Sequence, residues 1–163
     1  MDWLRIVRHL ATPPWRVSRV LPEPAMQAVT AAIRASETTH AGQIRVAVEC
    51  ALDLGPLLSG QRARDRAVEL FSRLGVWDTE HNNGVLIYLL LADRDMEIVA
   101  DRGIHARVGT AGWETICRAM EAEFREGRFE QGLLGGIEAV SQQLRTHFPG
   151  AGSGELPDRP VLL

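Results

Sequence analysis

A chain of 163 residues, 45% hydrophobic and 24% charged, is sized for one domain around one buried core. Its formal net charge of −3 and pI near 6.0 exclude a phosphate-backbone binder, which needs a clustered basic face, so nucleic acid is not an expected partner. The longest apolar run, Gly84 to Ala92, is well short of a membrane span, and the N-terminus lacks a basic head followed by a long hydrophobic segment. A cytoplasmic protein without a secretory signal is expected. Cys50 and Cys117 are far apart and lack the paired spacing of a zinc or redox motif, which reads as two buried thiols in a reducing compartment.

Residues 1–24 read as an amphipathic segment and linker. "MDWLRIVRHL" places Trp3, Ile6, Val7 and Leu10 at helical spacing with Arg5 and Arg8 beside them, and "ATPPWRVSRVLPEP" is proline-broken and irregular. From Pro24, a favoured first-turn proline, Met26, Val29 and Ile33 form one helical stripe. "QIRVAVECAL" is a buried strand and "DLGPLLSG" a loop. Ala63, Ala67, Leu70, Phe71 and Leu74 then mark a helix face, with Ser59 as the expected N-cap and Gly75 as the stop.

A polar loop, "VWDTEHNN", leads into the strand Val85–Leu91, apolar on both faces and therefore central, with layers above and below. "ADRD" turns the chain back into a partner strand, Met96–Ala100. Thr110 is placed to cap a helix carrying Trp113, Ile116, Cys117, Met120 and Phe124, and a last helix carries Leu133, Ile137, Val140 and Leu144. The domain is thus expected over 25–148, with 149–163 as a flexible tail. The strand–helix–strand unit crosses over right-handedly to give parallel neighbours. With the hairpin added, the fold is a small mixed sheet sandwiched between helices, an α/β class.

That hairpin sends the charged groups to opposite ends of the sheet. Glu80, His81, Asn82 and Asn83 share one end with Asp101, Arg102 and His105; Asp53, Asp93, Arg94 and Asp95 share the other. At the first end, Glu80, Asn82, Asn83 and Asp101 offer oxygens for a hard cation such as Ca2+ or Mg2+, and Arg102 could clamp a phosphate. The second end lies at the carboxyl ends of the parallel strands, where ligands of open α/β sheets bind; turn formation alone also accounts for its aspartates.

Established phosphatase signatures are missing. The position six after Cys50 is Pro56, and after Cys117 it is Glu123, where a thiolate enzyme needs arginine. Asp93-x-Asp95 would have to open a loop into a helix, yet it begins a returning strand. "GLLGGIE" lacks the Lys-Ser/Thr ending of a phosphate loop, and no serine sits in a nucleophile elbow. His9, His40, His81, His105 and His147 are scattered, without helix-ligand spacing.

The stretch "LGVWDTEHNNGVLIYLLLADRDMEIVADRGI" resembles the TPM-domain family, through Leu74-Gly75, Asn83-Gly84-Val85-Leu86-Ile87, Asp93-Arg94, Ile98 and Gly103. Trp113, Phe124, Gly127, Phe129 and Gly132 continue the likeness. The resemblance implies the same α/β sandwich and a family labelled phosphatase-like and metal-binding, with members that serve as assembly or modulator modules. Where such domains follow the third strand with Gly-aromatic-Gly-x-Glu, this chain has Ala100-Asp101-Arg102-Gly103-Ile104-His105. Their aspartate-rich lead-in is here Leu21-Pro22-Glu23-Pro24. Two functions of different class follow. One is a non-catalytic module that binds a protein partner, with peripheral membrane contact through residues 1–20 and a place in a membrane-associated complex. The other is a metal-dependent phosphatase with Asp101 as ligand and Arg102 on phosphate.

Overall fold

A computed structural model describes residues 2–163. Strands β1 (Gln43–Glu49) and β2 (Gly84–Leu90) run parallel, with Ile44 opposite Val85 and Val48 opposite Leu89. Strand β3 (Asp95–Ala100) returns antiparallel along β2, with Leu90 opposite Asp95 and Val85 opposite Ala100. A short strand, β4 (Val161–Leu162), completes the order β3-β2-β1-β4. β2 therefore has a neighbour on each side and no exposed residue, as its two-sided apolar sequence demands.

Strand alternation divides the core. Ile44, Val46, Val48, Val85, Ile87, Leu89 and Ile98 face one layer of helices, α3 (Glu23–Glu37), α6 (Arg102–Arg125) and α7 (Phe129–His147). Ala47, Leu86, Tyr88, Leu90 and Val99 face the other, in which α4 (Leu54–Leu58) and α5 (Ala63–Arg73) lie with Ile6 of α1 (Trp3–Leu10). α2 (Arg16–Val20) is a single turn and a half inside the proline-broken linker, with Val17 buried. Among the described residues no helix is long and apolar enough to cross a membrane.

Three local expectations need correction. Ser59 does not open α5; it closes α4, and α5 starts at Ala63 because the Asp65 carboxylate accepts the Arg62 N–H at 3.0 Å. α6 begins at Arg102, with Asp101 as its cap, well before Thr110. Two helical stretches meet across a kink at Gly109, whose φ of 74° only glycine adopts freely, so the stretch carrying Trp113 starts beside Thr110 and the stretch from Arg102 before it is what the sequence did not announce.

The third concerns residues 149–163, expected as a flexible arm. They lie along the free edge of β1: Val161 pairs with Ala47, the Leu163 N–H donates to Val48 O at 2.9 Å, and Cys50 N–H donates to Leu163 O at 3.0 Å. Arg45, only 8% exposed, reaches out of β1 to the carbonyls of Pro157 and Arg159. Ion pairs Arg159–Glu23 and Arg34–Asp158 fasten the tail to α3. A buried guanidinium calls for hydrogen bonds; the tail's backbone supplies two acceptors to Nη1, while Nε is buried without one.

Candidate functional site

At the carboxyl ends of the parallel strands, the β2–β3 turn presents Asp93 to α1. Arg5 Nη2 lies 2.8 Å from Oδ2, Arg8 Nη2 2.6 Å from Oδ1, and His9 Nε2 3.0 Å from Oδ1. The other nitrogen of His9, Nδ1, accepts the Leu52 N–H at 2.9 Å, so the ring carries its proton on Nε2 and donates it to Asp93. Burial pulls the Asp93 carboxyl upward, but hydrogen bonds from Arg5, His9 and Arg8 outweigh it and hold the group down at about 2.

The rest of that rim does not join this centre. Arg94 takes a left-handed backbone, φ 53°, and is exposed. Asp53 sits at the N-terminus of α4 without a side-chain cap bond. Asp95 is pushed up by burial, with the nearby charges of Asp93 and Glu121 adding to it.

Beside Asp93 lies a second centre that sequence reading missed. Glu49, ending β1, takes a two-pronged contact from Arg66 of α5 at 2.7 and 2.9 Å and the Tyr88 hydroxyl at 2.6 Å. Burial, then the Glu49 charge, raises the Tyr88 phenol, and the Glu49 hydrogen bond raises the Arg66 guanidinium. One acid and one phenol at buried positions of strands rich in valine, leucine and isoleucine were the available signal. With every oxygen of Glu49 occupied, this group ties α5 to the sheet.

The opposite rim is less assembled. Asp101 caps α6, its Oδ1 accepting the Arg102 N–H at 2.7 Å, while its Oδ2 is buried without a partner. Asn83 is fully buried, with both amide atoms unpartnered. Asn82 spends its left-handed backbone, φ 52°, on a turn whose carbonyl accepts the Ile104 N–H at 3.3 Å. Gly103 is required there, since a Cβ would strike the carbonyl oxygens of Asn82 and His81. Glu80 points to solvent, 74% exposed, with His81 3.9 Å away. A hard cation takes six or more oxygens; the buried free oxygens of this rim are those of Asp101 and Asn83, and the Glu80 carboxylate stands in solvent beside them. Among the described residues no three of His, Cys, Asp and Glu gather as a metal group. Of the four expected ligands, Asp101 and Asn83 present buried oxygens without partners, while Glu80 points to solvent and Asn82 is committed to its turn through its backbone. Asp93 and Asp101 lie at opposite ends of the β2–β3 ladder, as expected.

The thiols fit neither rim. Burial pushes Cys117 up to about 11 and raises Cys50 as well, away from the thiolate a nucleophile needs.

The remaining feature is the orientation of α1. Its polar side, Arg5 and His9, faces the domain together with Ile6. Trp3, Leu4, Val7 and Leu10 face solvent, between 60% and 82% exposed. Amphipathic surface helices ordinarily bury the apolar side. Here the ion pairs at Asp93 hold it outward.

The comparisons agree with this architecture. The structure of BA42 protein from the psychrophilic bacterium Bizionia argentinensis is similar at TM-score 0.76 and 32% identity, covering 88% of this chain and 95% of that one. The N-terminal domain of a protein from P. gingivalis shares the fold at TM-score 0.63 and 21% identity, over 84% and 90% of the two chains. No curated protein matches the sequence. A TPM-domain profile matches residues 17–143, from α2 to α7 and across both rims, and the chain therefore belongs to the TPM-domain family.

Proposed function

We propose that this TPM domain is a non-catalytic binding module that docks a protein partner on the outward face of α1. The reversed helix carries the reading: four large apolar side chains are held in water by an ionic anchor that turns their polar side inward. Leu54 and Leu58 of α4, which packs against α1, are each 48% exposed and add to the apolar surface. Contiguous apolar surface rimmed by polar groups marks interaction sites, and helix-in-groove docking uses this spacing. A protein groove suits the face better than an anionic bilayer. Arg5 and Arg8, the cations of α1 itself that such a bilayer would attract, are both engaged by Asp93.

The test compares the full chain with a Val7→Asp/Leu10→Asp variant, both at exposed positions, in the native host. The expected result is that the wild type elutes in a larger complex and the variant as free protein with unchanged thermal stability. A variant that keeps the complex overturns the reading, and flotation of the purified wild type with anionic vesicles moves peripheral membrane contact through residues 1–20 ahead of it. A phosphatase reading instead requires Ca2+ or Mg2+ to raise Tm and to support phosphate-ester turnover that Asp101→Ala abolishes. The binding-module reading expects no turnover with either cation.

A further inference from the structure

A cavity of about 280 Å³ opens beyond the end of β2, on the side of the sheet away from α5. Its apolar lining is Leu89 and Leu91 with Phe124 and Phe129, whose rings stack at 5.4 Å. Three arginines from three separate elements stand around it: Arg16 of α2, Arg94 of the β2–β3 turn and Arg125 at the end of α6. It shares Arg16, Gly127 and Phe129 with a neighbouring hollow of about 660 Å³ that reaches Trp15 and Arg19. The Arg19 guanidinium lies 5.3 Å from the Trp15 ring centre.

The charge at this place is unusual for the molecule. The chain is net −3, and all of its 18 Lys and Arg positions are arginine, most of them paired with a carboxylate or carbonyl. Among the described residues neither Arg16 nor Arg94 has a carboxylate within ion-pair distance, and Arg125 meets only Glu121, at 3.3 Å. Unpaired guanidinium groups over an apolar floor repel cations. They match oxyanions, which arginine holds through parallel N–H donors. The location is also the one that an open α/β sheet offers to ligands, outside the carboxyl end of a parallel strand.

We infer that this cleft binds a small organic dianion, a phosphate monoester or a paired carboxylate carried on a flat apolar body. Arg16 and Arg94 hold the charged head, and the Phe124 and Phe129 rings hold the body. Two unopposed positive charges call for a dianion, and the size of the cavity limits the buried part to about one ring. The inference is independent of α1 docking, whose apolar face plays no part in it.

The full chain is titrated by calorimetry with phenyl phosphate, phthalate and benzyl alcohol, which share a ring and differ in charge. One or both dianions are expected to bind saturably and benzyl alcohol not, and the stronger of the two identifies the head group. Arg16→Ala and Arg94→Gly are each expected to weaken binding about tenfold. Arg94→Gly also suits the left-handed backbone there, so a folding failure will not mimic the result. Glu121→Gln, which frees Arg125, is expected to tighten binding. Failure of both dianions to bind, binding that survives the combined Arg16→Ala/Arg94→Gly variant, or equal binding of benzyl alcohol overturns the inference.

Discussion

Arg5 and Asp93, 88 positions apart, meet in a contact that uses two guanidinium nitrogens, Nε at 3.0 Å and Nη2 at 2.8 Å from Oδ2. Arg8 and His9 complete the shell, so one carboxylate in a turn fixes both the position and the facing of α1. Asp93→Ala would leave the half-buried Arg5 guanidinium without its counter-charge, a loss of about 3 kcal/mol in sites of this kind. The expected outcome is local: hydrogen exchange of the α1 amides rises toward that of an open chain, while β1 and β2 keep their protection. Because the folded Asp93 carboxyl titrates at about 2, below its unfolded value, its contribution is present above about pH 4. It amounts to about 2 kcal/mol and fades as pH falls from about 4 toward 2.

Glu37 has the opposite sign. It is buried at the end of α3, its Oε1 accepting the Ile44 N–H at 3.2 Å, and burial raises its carboxyl to about 7, with Asp158 and Glu155 of the tail adding repulsion. A raised acid is protonated in the folded state while the unfolded chain has already lost the proton. Its stabilisation is therefore complete below about pH 4.5 and disappears as pH rises through about 7, a change of about 3 kcal/mol. Glu37→Gln, unfolded by urea across pH 5 to 8, should show a flatter profile than the wild type and gain stability at the alkaline end.

The tail and Arg45 stand or fall together. Removing residues 156–163 bares the β1 edge and leaves a buried guanidinium without the Pro157 and Arg159 carbonyls. Loss of such acceptors costs about 1–3 kcal/mol beyond the lost strand contacts. Arg45→Met should destabilise the full chain but help the truncated one, an inversion that a double-mutant cycle in urea would read directly. Bare strand edges also associate, so the truncated chain should sediment as a larger species.

Periodicity made the layered core legible because Val85–Leu91 is apolar on both faces, and only a central strand buries both. The hairpin and the separation of Asp93 from Asp101 followed from the same strand by geometry. What escaped was long-range and polar. Nothing in "MDWLRIVRHL" says that its arginines face inward, because the partner that turns them, Asp93, is encoded in a turn where aspartate needs no further reason. Glu49 was hidden for a related reason: one acid at the end of a strand is unremarkable until Arg66 and Tyr88 are seen to converge on it. The tail read as disordered because its pairing depends on Arg45, an arginine inside a buried strand.

Two glycines make a last comparison in which packing, not composition, sets the sign. At Gly84, where β2 begins, an added Cβ would run into the Val76 carbonyl oxygen, a backbone atom that moves only if the α5–β2 connection moves. Gly84→Ala should therefore cost about 2–3 kcal/mol, in the range of overpacked cores. Gly135, exposed on α7, has nothing within 4 Å of such a Cβ, and its backbone is helical. Replacing it removes the entropy penalty of glycine in a helix, so Gly135→Ala should add about 0.5–1 kcal/mol. Urea midpoints that move in opposite directions would confirm the close approach of β2 to the Val76 backbone. A Gly84→Ala protein as stable as the wild type would show that the α5–β2 connection yields to the added Cβ.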